Sequence, residues 1–270
     1  MHVLIYKYLS IDIYSSNVGN VIDNNDNNSC IASNIIRTES ARYYEEVSGF
    51  IAFPRNDSIS TYADKKKYAA VIMIHEWWGQ NDDIKSKTKE LAKQGYIVLA
   101  VDLYNGEVTT DADRARKLSA AVRNNPKAAI ENLKSAVCYL NSLNNVDGSK
   151  IASLGWSFGG GQSLQLALNS QEHPLSATGI YYGSLITDKE VLCKIQWPVL
   201  GIFGDKDRLI SIQMVNQFKT ALDANGIINE IYIYNGVGHA FANPSGRNYA
   251  PKETADSWQK TLAFLKKYSQ

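Results

Sequence analysis

Leu154-Gly155-Trp156-Ser157-Phe158-Gly159-Gly160 is the stretch that decides the fold of this 270-residue chain. The residues ahead of it, Lys150 to Leu154, read as a strand, and those from about Gly159 to Asn169 read as a helix. A serine on so abrupt a strand-to-helix turn takes a strained backbone conformation. Glycines two residues before and after it remove side chains that would collide there. The turn lifts the Ser157 hydroxyl clear of the sheet, and the helix that follows aims its N-terminal amides and positive dipole end at the same point. That is where an oxyanion develops during acyl transfer. The bare G-x-S-x-G pattern also arises by chance as a serine-capped glycine turn, so its weight comes from lying between a strand and a helix.

Outward from this turn, buried strands alternate with amphipathic helices. Ala69 to Ile74 and Tyr96 to Val101 are continuous apolar runs, as expected of parallel strands covered on both faces. Further strands are expected at Val47 to Phe53, Ala177 to Tyr181, Val199 to Phe203 and Asn229 to Tyr234. Asp83 can cap a helix to about Gln94, stopped by Gly95, and two helices follow over Asp111 to Val122 and Pro126 to Leu143. Two more are expected near Ile212 to Ala224 and from Pro251 to Tyr268. The series specifies an α/β fold, a mostly parallel central sheet flanked by helices on both faces, with ligands bound beyond the carboxyl ends of the strands.

One domain accounts for most of the chain. Residues 1–42 read as a loosely attached N-terminal segment because the Asn-rich stretch from Val18 to Asn34 lacks apolar periodicity. The folded domain is expected over 43–270, with a polar hairpin loop or irregular connection from Arg55 to Lys67. The stretch from Met1 to Ser16 is too short and broken to span a membrane. A cytoplasmic protein is the favoured reading, with export by a degenerate signal as the alternative. A net charge of +1 gives no field for polyanions, so nucleic acid is not an expected partner. Cys30, Cys138 and Cys193 are unpaired by spacing, and the four histidines show no zinc-binding arrangement. Neither a cofactor nor a metal is expected, and the protein is read as a monomer.

A serine hydroxyl needs a base at neutral pH. His239 follows the last expected strand within Gly236-Val237-Gly238-His239-Ala240-Phe241. The base needs a carboxylate to fix its tautomer, and Asp207 of Gly204-Asp205-Lys206-Asp207 is the candidate, ahead of Asp205. The order Ser, Asp, His is that of α/β-hydrolases. Oxyanion donors are expected from the backbone amides of Trp77, within Ile74-His75-Glu76-Trp77-Trp78-Gly79, and of Phe158. Glu76 and His75 lie at a strand end near the cleft, although His75 reads equally well as an ordinary hydrogen-bonded loop residue. Trp77, Trp78 and Trp156 can wall an acyl or aryl group, and core packing explains tryptophans equally well.

These segments together resemble the dienelactone hydrolase family. His75 to Gly79 followed by Asn81-Asp82-Asp83-Ile84 looks like that family's strand-end segment, and Gly95 to Tyr104 is similar to its next strand. Leu154 to Gly161, Tyr181-Tyr182-Gly183, Gly204 to Asp207 and Gly238 to Ala242 add to the match, which runs from about Tyr43 to the C-terminus. The resemblance implies Ser157 as nucleophile, His239 as base, Asp207 as its orienting partner and Glu76 as a carboxylate beside the nucleophile. Tyr104 and Asn243 join Trp78 and Trp156 as expected substrate contacts or auxiliary residues. Two departures stand out. Many members carry cysteine where this chain has Ser157, whose higher pKa suits direct proton abstraction by His239 and leaves the role of Glu76 open. The dienelactone-cleaving members hold a substrate carboxylate with arginine where this chain has Asn243, so a neutral ester is as good an expectation as dienelactone. The expected activity is hydrolysis of a small carboxylic ester or lactone through an acyl-enzyme. A non-catalytic ligand-binding protein on the same fold is the rival, and Asp-dependent dehalogenation or epoxide opening is disfavoured by Ser157.

Overall fold

The computed structural model describes residues 36–54 and 66–270. Nearly all of the expected N-terminal segment and most of the polar connection after residue 54 lie outside the described residues. Eight strands follow in chain order: β1 (Arg37–Tyr44), β2 (Val47–Phe53), β3 (Tyr68–Ile74), β4 (Ile97–Val101), β5 (Val146–Trp156), β6 (Ala177–Tyr181), β7 (Val199–Gly204) and β8 (Asn229–Tyr234). They form one sheet in the order β1-β2-β4-β3-β5-β6-β7-β8. β1 and β2 pair antiparallel, as do β2 and β4, and every other pairing is parallel.

Seven helices complete the described fold: α1 (Asp82–Lys93), α2 (Ala112–Asn124), α3 (Pro126–Ser142), α4 (Phe158–Ala167), α5 (Lys189–Leu192), α6 (Ile212–Ala224) and α7 (Pro251–Ser269). The continuous burial of β3 follows from helices on both sides of it. Its side chains alternate between faces. Val71 and Met73 belong to the layer that also holds Ile84 and Leu91 of α1 and Phe264 and Leu265 of α7. Ile72 and Ile74 belong to the layer that also holds Leu133 of α3, Leu164 of α4 and Phe218 of α6. At about 25 cal/mol per Å2 of apolar surface removed from water, these two layers are the main stabilising contribution.

Helix starts are set by local chemistry. Asn81, not the expected Asp83, caps α1 by accepting from the Ile84 amide at 3.2 Å, which leaves Asp82 and Asp83 in the first turn where negative charge suits the dipole. Asp111 caps α2 and Ser211 caps α6 in the same way, while Pro126 opens α3.

The sheet also begins earlier than the expected boundary at Tyr43, because β1 already pairs with β2 from Arg37 onward. The Tyr43 hydroxyl accepts from the Asp102 amide at 3.0 Å and lies 2.7 Å from Asn132 Oδ1, which fastens this edge hairpin to the end of β4 and to α3. No helix among the described residues is long and apolar enough to cross a membrane. Cys138 and Cys193 are free and exposed.

Candidate active site

The carboxyl ends of β3, β5, β6 and β7 and the loop after β8 converge on one cleft. β5 and α4 meet at Ser157, whose φ of +51° and ψ of −113° place a non-glycine residue in a costly backbone region. The turn is held by the Ser157 amide donating to Tyr181 O at 2.9 Å and the Gly161 amide donating to Ser157 O at 3.1 Å. Gly155 and Gly159 are required by close approach. A Cβ on Gly155 would lie 2.1 Å from Gly159 O, and one on Gly159 would lie 2.3 Å from Ile74 O.

Ser157 Oγ lies 2.8 Å from His239 Nε2, and His239 Nδ1 lies 2.8 Å from Asp207 Oδ2. Asp207 Oδ1 accepts from the Leu209 amide at 2.8 Å and the Ile210 amide at 3.1 Å. Burial opposes ionisation of this carboxyl, but the His239 hydrogen bond and the two backbone amides outweigh it and hold Asp207 below the usual aspartate range. Asp205 is occupied differently, accepting from the Gly236 amide at 2.6 Å and pairing with Lys206. The arrangement can pass a proton from hydroxyl to imidazole while a fixed carboxylate faces the opposite ring nitrogen.

The cleft, about 420 Å3 in volume, is lined by Ser157, His239, Glu76, Trp77, Trp78 and Phe158 among others. Phe158 opens α4, so its amide has no acceptor within the helix. Trp77 lies in a turn stiffened by Glu76 O, which accepts from the Gly79 amide at 3.3 Å and from His75 Nδ1 at 2.5 Å. His75 Nε2 accepts in turn from the Leu103 amide at 3.2 Å, so this buried ring is neutral and structural. Burial pushes its pKa below 6.5.

Glu76 faces the cleft with both oxygens engaged. Tyr182 donates to Oε1 at 3.1 Å, and the Asn243 amide donates to Oε2. Burial raises the Glu76 pKa, against the opposing influence of Lys87, these two hydrogen bonds and His239. Lys87 shares with Glu76 a chamber of about 20 Å3, room for one water, and its ammonium lies 5.6 Å from the Trp156 ring centroid.

Several expected contacts take other places. Asn243 borders the cleft, but its amide is committed to Glu76 and its Oδ1 accepts from the Ser245 amide. Trp156 is buried against Tyr181 and walls a separate cavity beside α1 and α7, because adjacent strand residues face opposite ways. Tyr104 packs behind the cleft against His75 and Phe158. Sequence reasoning missed Tyr182, whose ring meets His239 edge-on at 5.3 Å, and the arginines Arg116 and Arg123 that border the cleft; Arg247, close to Asn243 in sequence but no evident replacement for the family's arginine, borders it as well. Tyr182 follows directly on β6, and that position at a strand's carboxyl end was the available signal. Arg116 pairs with Asp113, whereas no ion pair among the described residues includes Arg123 or Arg247.

A mostly parallel sheet with a strained serine between strand and helix, and Ser, Asp and His arriving in that order, defines an α/β-hydrolase. The comparisons carry this further, since the dienelactone hydrolase family model matches residues 58–269. The chain belongs to that family and is a hydrolase acting on lactones or esters. It is 28% identical over 259 residues to a Saccharolobus solfataricus protein named provisionally as a carboxymethylenebutenolidase, covering 83% of this chain and 95% of that one. An Escherichia coli K12 protein with the same provisional name is 27% identical over 255 residues, covering 88% and 92%. Among solved structures, a dienelactone hydrolase-like promiscuous phosphotriesterase from metagenomic libraries superposes with a TM-score of 0.74 at 21% identity, covering 87% of this chain and 99% of that one.

Proposed function

We propose that Ser157, His239 and Asp207 form the catalytic triad of a serine esterase or lactonase that works through an acyl-enzyme. The observation that carries this reading is the pair of 2.8 Å contacts joining a strained serine to an imidazole and then to a carboxylate. Ser157 Oγ bonds to the substrate carbonyl carbon as its proton passes to His239 Nε2, and the carbonyl electrons move onto oxygen. The Trp77 and Phe158 amides hold that oxyanion. When it collapses, the bond to the alcohol oxygen breaks and His239 returns the proton to the leaving group. A water then attacks the acyl carbon and gives a proton to His239, which passes it to Ser157 as the acid departs.

Asp207 keeps the imidazole in the tautomer that presents a lone pair to Ser157. The cleft, about 420 Å3 in volume, suits a small-molecule substrate, and the enzyme is proposed to act as a monomer. Ser157→Ala is expected to abolish turnover of p-nitrophenyl acetate while folding persists, and a phosphonate probe is expected to label Ser157 in the parent only. Unchanged turnover by Ser157→Ala would overturn the proposal.

A further inference from the structure

A second cavity, of about 330 Å3, adjoins the cleft on the α3 and α4 side. Arg123, Phe158 and Ser184 border both spaces and so form the partition between them. The Arg123 guanidinium lies 6.0 Å from the Phe158 ring centroid and donates to Ser119 Oγ at 3.1 Å. Beyond this partition the walls are of two kinds. Ile130, Leu185 and Ile186 are apolar, whereas Gln162 and Gln165 project from α4. Gln162 is 8% exposed, and among the described residues neither glutamine side chain has a hydrogen-bond partner. A side-chain amide without a partner in the protein is free to pair with a complementary ligand in this space.

The chamber's place relative to the reacting atoms fixes which part of a substrate can reach it. His239 must touch the leaving oxygen, and it lines the cleft but not the chamber. Phe158 lines both. With the leaving oxygen held on the His239 side, the chamber is assigned to the acyl side of the scissile bond. Its two glutamines match a terminus that both donates and accepts, because a primary amide such as that of Gln162 carries two donors and an acceptor.

We propose that this chamber is an acyl subsite, which selects esters or lactones whose acyl group runs past Phe158 and ends in an amide or hydroxyl. The assignment rests on the ester-cleaving reading of Ser157. Ile130 and Leu185 accommodate the methylene portion, Gln162 and Gln165 bind the terminus, and Arg123 adds a donor at the entrance.

The test compares three p-nitrophenyl esters on the full chain: the acetate, the adipamate, and the hydrocarbon isostere in which an isopropyl group replaces the terminal amide. The parent is expected to prefer the adipamate to the isostere by about tenfold in kcat/KM, the scale of one net hydrogen bond. Gln162→Leu is expected to erase that preference. Ile130→Trp, which fills the chamber, is expected to lower the ratio of adipamate to acetate by about tenfold. Circular dichroism establishes that each variant is folded, and either one alone suffices to decide. Ratios that stay at the parent value in the folded variants, or a parent that prefers the isostere, would overturn the subsite. A parent that turns over none of the three esters would instead overturn the esterase reading on which it rests.

Discussion

Asp207→Asn puts the geometry of the triad under the strictest test. The replacement is isosteric, and its orientation is already dictated by the backbone. Asp207 Oδ1 accepts from the Leu209 and Ile210 amides, so the asparagine oxygen must take that position and the NH2 group must face His239 Nδ1. Two donors cannot share that 2.8 Å contact. The imidazole therefore moves its proton to Nε2, and Nε2 then presents a donor to Ser157 instead of a lone pair. Base catalysis is lost with little change in shape. The expected fall in kcat/KM at neutral pH is about ten-thousand-fold, equivalent to about 5 kcal/mol of transition-state stabilisation. Hydrolysis of p-nitrophenyl acetate, followed at 400 nm or thereabouts, measures it. A thermal melt should show a folded protein, since both backbone amides keep their acceptor. A loss of less than about tenfold in a folded variant would refute the tautomer argument.

Other expectations follow from single contacts. Gly159→Ala places a Cβ 2.3 Å from Ile74 O and 2.4 Å from His75 O, so the turn must shift; a loss of about 1–3 kcal/mol in urea unfolding, with reduced kcat, is expected. Glu76 has its folded pKa raised, so its contribution to stability is present below about pH 4.5, the unfolded value, and declines as pH rises through the folded one. Melting of Glu76→Gln against the parent should accordingly show a difference that moves in favour of the variant as the pH increases, and a constant difference would contradict this. Tyr182→Phe removes one donor to Glu76 and should lower stability by about 1–3 kcal/mol, with a fall in Tm of about 2–4 °C per kcal/mol.

Much of the fold was legible because burial on both faces writes itself as unbroken apolar runs. β3 and β4 are of this kind, and their limits differ from the sequence reading by one residue at most. β1 carried no such mark. It is an antiparallel edge strand, and only Ala41 and Tyr43 of its eight residues are buried. The one-turn helix α5 is too short for a periodicity to show. Within the site, Ser157, Asp207 and His239 could be placed because each follows a strand. The direction of Trp156 was available from strand alternation, since a neighbour of Ser157 must point away from it. The commitment of Asn243 to Glu76 was not available, because 167 positions separate them and nothing local records the pairing.

The wedge formed by His75 also has a bearing on acid tolerance. Its ring joins the end of β3 to the start of the β4–α2 connection by donating a hydrogen bond on one side and accepting one on the other. A second proton would set Nε2 against the Leu103 amide, donor to donor, inside a region without solvent. Because the folded ring resists protonation more than the unfolded one does, stability drains away as the pH falls below about 6.5. Acid is thus expected to weaken the fold through a buried ring at the corner that carries Trp77, and not through the groups that line the cleft.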